Sequence, residues 1–176
     1  MESFFDIIRK IKEQNFKFDT NEFLEYVRFS IIKIYNGIYN NKIDSLYDVC
    51  SKELINTMTK NKDTFRLSKN IDNFQIQFSN IHDYVEKNNE EFIKVYLSIF
   101  CYDKTLHDGD YFWNDIWIVT LKKEISKNSS NIFECDKCGA TMTLKDSILS
   151  CNYCNNKKML SNYYSQWKIV DIVVQK

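Results

Sequence analysis

The sequence predicts an α+β domain. N-terminal helices pack on one face of a four-stranded antiparallel sheet, and a small cysteine-bearing unit is set into the sheet's last connection. Three observations carry this prediction. Apolar residues recur with a helical period through the first third of the chain and with period two after about Asn70. Four later runs are rich in aromatic and β-branched residues. Between the third and fourth runs stand two Cys-x-x-Cys pairs, flanked by the polar stretches SKNSSN and NNKK.

The helical elements come first. Ser3-x-x-Asp6 is a capping pattern, and Phe4, Phe5, Ile7, Ile8 and Ile11 form the apolar stripe of the helix it opens. A longer helix follows Asp19 and Thr20. Its Phe23, Val27, Ile31, Ile34 and Ile38 lie on one extended face, and Asn40-Asn41 ends it. DSLYDVCSKELINTMTKN then gives short helices, with Asp44 and Ser51 as N-caps.

In the strand region Phe74, Ile76 and Phe78 alternate with polar residues. Ile93, Val95, Leu97, Ile99 and Cys101 make a second strand, and Trp113, Asp115, Trp117, Val119 and Leu121 a third. Trp167, Ile169 and Asp171 alternate with Val170 and Ile172 in the fourth. EKNNEE (86–91) and LHDGDY (106–111) read as hairpin connections. The second and third strands are apolar on both sides. Helices cover one side; the other calls for a partner or for curvature that closes the sheet on itself.

Composition bounds what such a chain can do. At 176 residues with 44% apolar side chains it is one domain carrying at most a small module. Twenty-four basic and 24 acidic residues cancel, which argues against a broad footprint for nucleic acid or an anionic membrane. Charges interrupt MESFFDIIRKIKEQ, so no secretory signal is read there. No uncharged apolar run approaches the ~18 residues of a membrane span. A soluble chain in a reducing, cytoplasmic compartment is expected.

The cysteines are the most specific signal. Cys135-x-x-Cys138 and Cys151-x-x-Cys154 are spaced as two knuckles that turn four thiolates into one tetrahedral site for a single structural Zn²⁺. Gly139 and Asn155 follow the two pairs, where a knuckle turn takes positive φ. A disulfide or redox reading lacks the small secreted chain or the βαβ context it would need. The expected division is a helix-and-sheet domain of 1–131 plus 161–176, with an inserted zinc ribbon at 132–160. From Ile132 to Asn162 there are four lysines and three acids. With a tetrathiolate zinc of charge −2 the unit ends near −1, a poor match for phosphates. Cys50 and Cys101 fall on apolar faces, as buried free thiols do.

The order DIWIVTL (115–121), CDKCGA…CNYC and WKIVDI (167–172) resembles the C-terminal domain family of translocase of inner membrane, subunit 44, in its bacterial zinc-ribbon form. Asp115, Trp117 and Val119 match its acid-x-Trp-x strand. Cys135, Cys138, Gly139, Ala140, Cys151 and Cys154 match its ribbon, and Trp167, Ile169 and Ile172 its closing strand. LYDVCSKELINTM and IKVYLSIFCYD are similar to its helix before the sheet and its second strand. The resemblance covers about residues 20–174. It implies a cone-like fold similar to nuclear transport factor 2, with a pocket at one end. It also implies an adaptor near a membrane or a protein-transport machine. Many bacterial relatives carry a membrane segment, and none is seen here.

Two functions are in view. One is a non-enzymatic module that offers an apolar pocket or surface, bordered by Trp113, Asp115 and Trp117, to a protein or lipid-like ligand. The alternative is an enzyme of the ketosteroid isomerase-like cone type, in which a pocket carboxylate does the chemistry. Asp115 is its best nominee. His82 and Asp83 are adjacent on a strand and so face apart. Asp103, His107, Asp108 and Asp110 read as a solvated turn. No phosphate loop, HExxH or nucleophile elbow is present.

Overall fold

The computed structural model describes residues 2–65, 73–103, 111–124, 133–135, 137–145, 148–159 and 164–175. Among them the chain is α+β, with three helices and two antiparallel sheets. Helix α1 spans Phe4–Gln14, α2 Thr20–Tyr39 and α3 Lys52–Lys60; a 3₁₀ turn, Ile43–Leu46, lies between the last two. Strands β1 (Asn73–Lys87), β2 (Glu90–Asp103), β3 (Tyr111–Glu124) and β8 (Lys168–Gln175) form the large sheet in the order β1-β2-β3-β8. Strands β4 (Phe133–Glu134), β5 (Thr141–Lys145), β6 (Ile148–Cys151) and β7 (Lys157–Met159) form the small one.

The helix caps arise from the residues themselves. Ser3 Oγ accepts from the Asp6 amide, Asp19 Oδ1 from the amides of Asn21 and Glu22, and Ser51 Oγ from that of Leu54. Asp44 is not a cap. It lies inside the 3₁₀ turn, whose preceding residue, Lys42, makes no side-chain cap. All five predicted core residues of α2 are buried. In α1 only Ile7 and Ile11 are; Phe5 is 82% exposed, because the face toward the sheet is just wide enough for the i, i+4 pair. At Gly37 an added Cβ would stand 2.5 Å from Leu46 Cδ2, so α2 and the turn meet there without a side chain between them.

Asn88 and Asn89, both at positive φ (55° and 61°), make the two-residue hairpin between β1 and β2. The alternation of Phe74, Ile76 and Phe78 does not carry through β1, because the strand changes face twice. Ile76 pairs Ile99 and Phe78 pairs Ser98, which leaves Gln77 as an extra residue; His82 is another, between Ile81 and Asp83. Each bulge resets the pleat and adds bend and twist. Phe74 and Ile76 therefore pack toward the core, whereas Phe78 is 57% exposed on the opposite face. The second bulge puts His82 against Tyr96, rings stacked at 4.0 Å, while Asp83 pairs with Lys94 at 3.4 Å.

One face of the large sheet is filled. Ile81, Ile93, Val95, Leu97, Ile99, Trp117, Val119, Leu121, Ile169 and Ile172 meet the apolar faces of α1, α2 and α3. Trp167, with no exposed surface, packs on Phe23, and its carbonyl accepts from Tyr26 Oη at 2.6 Å. Tyr164 Oη donates to the Asp19 carbonyl and accepts from the Asp19 amide, tying the segment before β8 to the start of α2. The Ile169 amide donates to Val49 O and Ile169 O accepts from the Ser51 amide, so the free edge of β8 is partly paired. On the other face Phe78, Val85, Ile116 and Val173 are 57, 44, 38 and 47% exposed. No helix among the described residues is long and apolar enough to cross a membrane.

Candidate metal centre

The small sheet lies in the chain between β3 and β8, and its strands hold two matching turns. After β4, the Cys138 and Gly139 amides donate to Cys135 O at 3.3 and 2.7 Å, and the Cys135 amide donates to Ala140 O at 2.8 Å. After β6, the Asn155 amide donates to Cys151 O at 3.1 Å, and the Cys151 amide donates to Asn156 O at 2.9 Å. Gly139 has φ 71° and Asn155 φ 54°, the positive values that the spacing predicts. Nothing lies within 4 Å of a Cβ built on Gly139, so backbone conformation rather than crowding selects glycine. Strands β5 and β6 pair Met142 with Cys151, which carries the second turn to the first.

The four Sγ atoms all lie within 4.8 Å of one another. Cys135 approaches Cys154, and Cys138 approaches Cys151, at 3.5 Å. A tetrahedral zinc with Zn–S of about 2.3 Å separates its sulfurs by about 3.8 Å, so the donors fit such an ion with little adjustment. Cys135 and Cys151 are each 2% exposed, Cys138 is exposed and Cys154 half-buried.

The electrostatics suit a cation. The Lys137 amide, chiefly, and the Asn156 side-chain amide hold the Cys135 thiol down to about 6. The amides of Cys154 and Tyr153 lower Cys151. The Ala140 amide pulls Cys138 the same way, but the sulfurs of Cys151, Cys154 and Cys135 outweigh it and push that thiol up to about 12. Four thiolates this close repel one another. A divalent ion at their centre would remove the conflict, and four protein ligands would leave it no open position for a substrate.

Two of the other predicted site residues are described by their side chains. Asp115 and Trp117 are each 2% exposed and belong to the packed face of β3, not to an open surface. Trp117 packs on Phe65 and Phe74, and its Nε1 has no hydrogen-bond partner among the described residues. Trp113 is opposite Cys101 in the β2–β3 register; its side chain lies outside the described residues, as do the side chains of Cys101 and Asp103 and the whole of 104–110. Cys50 is buried, and burial pushes its thiol up to about 11.

Two features have little or no signature in the sequence. An open groove of about 380 Å³ lies between α2 and β1, lined by Glu25, Arg28, Phe29, Ile32, Phe74, Gln75 and Ile76. Its one signal is the pair Phe29 and Ile32, off the core stripe of α2 and 70 and 40% exposed. The second feature is a buried polar cluster. Tyr84 Oη donates to Glu91 at 2.9 Å, Lys123 Nζ reaches the same carboxylate at 2.5 Å, and the ammonium sits 5.2 Å from the Trp167 ring centre. No periodic pattern announces it, because its members come from three strands.

No protein-family model matches this chain, and no characterised protein matches it in sequence.

Proposed function

We propose that this chain is a non-enzymatic binding module that carries one structural zinc, and that its outer sheet face receives a protein partner. The convergence of four sulfurs on two matching knuckles carries the zinc assignment. Four cysteine sulfurs and tetrahedral spacing favour zinc among the common divalent ions. The cysteine unit is then a zinc ribbon inserted in the β3–β8 connection of an adaptor resembling the translocase-subunit-44 domain. Support for the binding role is the apolar surface around Phe78, Ile116 and Val173, which the helices on the opposite face cannot cover. Tyr96, Phe100 and Ile118 extend it as half-buried neighbours. A lipid-like ligand would belong instead in the α2–β1 groove. A catalytic carboxylate needs an open cavity before it, and Asp115 lines neither that groove nor the cleft beside Lys10 and Tyr84.

The test has two parts. Elemental analysis of reduced, freshly purified protein should give one zinc per chain, with sulfur-only ligation by X-ray absorption. Proximity labelling should then compare the parent chain with Ile116→Lys/Val173→Lys, whose circular dichroism should be unchanged. A set of proteins labelled by the parent and lost in the variant supports the outer face. Identical sets from both proteins overturn it.

A further inference from the structure

We propose that the second cysteine of each knuckle, Cys138 and Cys154, is a modification site at which oxidants and other thiol-reactive electrophiles open the metal centre and release its zinc. The proposal rests on the zinc assignment above. Two observations separate these sulfurs from the other pair. The first is access: Cys138 is exposed and Cys154 half-buried, while Cys135 and Cys151 are each 2% exposed. The second is hydrogen bonding. Cys135 takes the amides of Lys137 and Cys138 and Asn156 Nδ2, and Cys151 takes the amides of Tyr153 and Cys154, whereas Cys138 takes one amide, that of Ala140. Donors of this kind engage a thiolate's lone pairs and weaken it as a nucleophile. The buried sulfurs are thus shielded twice, and an electrophile meets the outer two first.

The closest approaches between the sulfurs also point to which of them then combine. With a peroxide, the Cys154 thiolate attacks one oxygen; the O–O bond breaks, hydroxide leaves and a sulfenic acid forms. Cys135 Sγ, 3.5 Å away on the other knuckle, then attacks that sulfur. The S–S bond forms, the S–O bond breaks and a second hydroxide leaves. Two thiolates have lost two electrons and one peroxide has gained them. Cys138 and Cys151, also 3.5 Å apart, repeat the sequence. The disulfides therefore cross between the knuckles instead of closing within a Cys-x-x-Cys pair. Zinc, stripped of its ligands, departs.

The test uses the 176-residue chain, with its zinc content measured first; absence of zinc refutes the metal assignment by itself, and the labelling order still tests the access difference. N-ethylmaleimide and, separately, limiting hydrogen peroxide are added, a zinc-indicator dye is followed, and the cysteines are mapped by peptide mass spectrometry. Maleimide should appear on Cys138 and Cys154 before Cys135 and Cys151, with buried Cys50 unlabelled throughout. Peroxide should give Cys135–Cys154 and Cys138–Cys151 links, with zinc lost in step. First labelling at Cys135 or Cys151, links within either Cys-x-x-Cys pair, or zinc retained after both outer sulfurs have reacted would each overturn the proposal.

Discussion

Strands β1, β2 and β3 run for 15, 14 and 14 residues, whereas β4, β5, β6 and β7 run for 2, 5, 4 and 3. The long strands present rows of Ile, Val, Leu and Trp to three helices, and each fully buried side chain of that size stabilises by about 1.5–3 kcal/mol. Among the described residues of the short strands and their turns, the buried side chains are Cys135, Met142 and Cys151. The burial of those three side chains is small beside the entropy of ordering two dozen residues at about 1–2 kcal/mol each. On the proposed zinc reading, one region is organised by packing and the other by ligation. They should therefore fail independently.

The largest effect should come from removing the metal. Structural zinc binding in zinc-finger peptides is worth about 10–16 kcal/mol, so Cys135→Ser/Cys138→Ser or a strong chelator should unfold the small sheet. Hydrogen exchange should show protection lost over 133–159 and kept in β1, β2, β3 and β8. Loss of protection in both sheets would mean that the metal organises the whole chain and would erase the contrast.

Trp167→Ala attacks the packed region instead. A fully buried tryptophan costs about 3–5 kcal/mol on truncation, and this one also carries contacts from Phe23 and Lys123. Urea titration should show that loss in the main unfolding transition, with zinc content unchanged.

Alkaline pH probes the same packing through Cys50. Its thiol is raised by burial from 9.0 to about 11. The unfolded chain gives up that proton first, so above pH 9 it binds fewer protons than the folded chain. The stability involved is complete below pH 9 and is lost as pH rises through about 11. Cys50→Ala should flatten the fall in stability just above pH 9, as measured by urea midpoints across that range. An unchanged slope would show that Cys50 is solvated and the core looser than its burial indicates.

The smallest effect is a local one. Asp19→Ala removes the acceptor for the Asn21 and Glu22 amides, each at 2.9 Å, and should cost about 1 kcal/mol, visible as a lower urea midpoint. Asp19→Asn should recover most of it.

Local pattern alone determined a good deal here. The core stripe of α2, the caps at Ser3, Asp19 and Ser51, the four long strands and the positions of Gly139 and Asn155 all express period, capping chemistry or positive φ within a few residues of chain. The clustering of Cys135, Cys138, Cys151 and Cys154 was also legible, because a Cys-x-x-Cys turn brings its own two thiols together and few arrangements of two such turns exist. Tertiary structure decided the rest. Phe78 continues a perfect alternation yet faces outward, because the bulge at Gln77 depends on how β1 fits β2 across the hairpin. Asp115 and Trp117 looked like residues bordering a site and are core, since burial depends on which face of β3 the helices cover. Glu91 and Lys123 form a buried pair only because register places them side by side. A side chain's neighbours in sequence determine its direction from the backbone; what it meets there is set by elements that arrive from elsewhere in the chain.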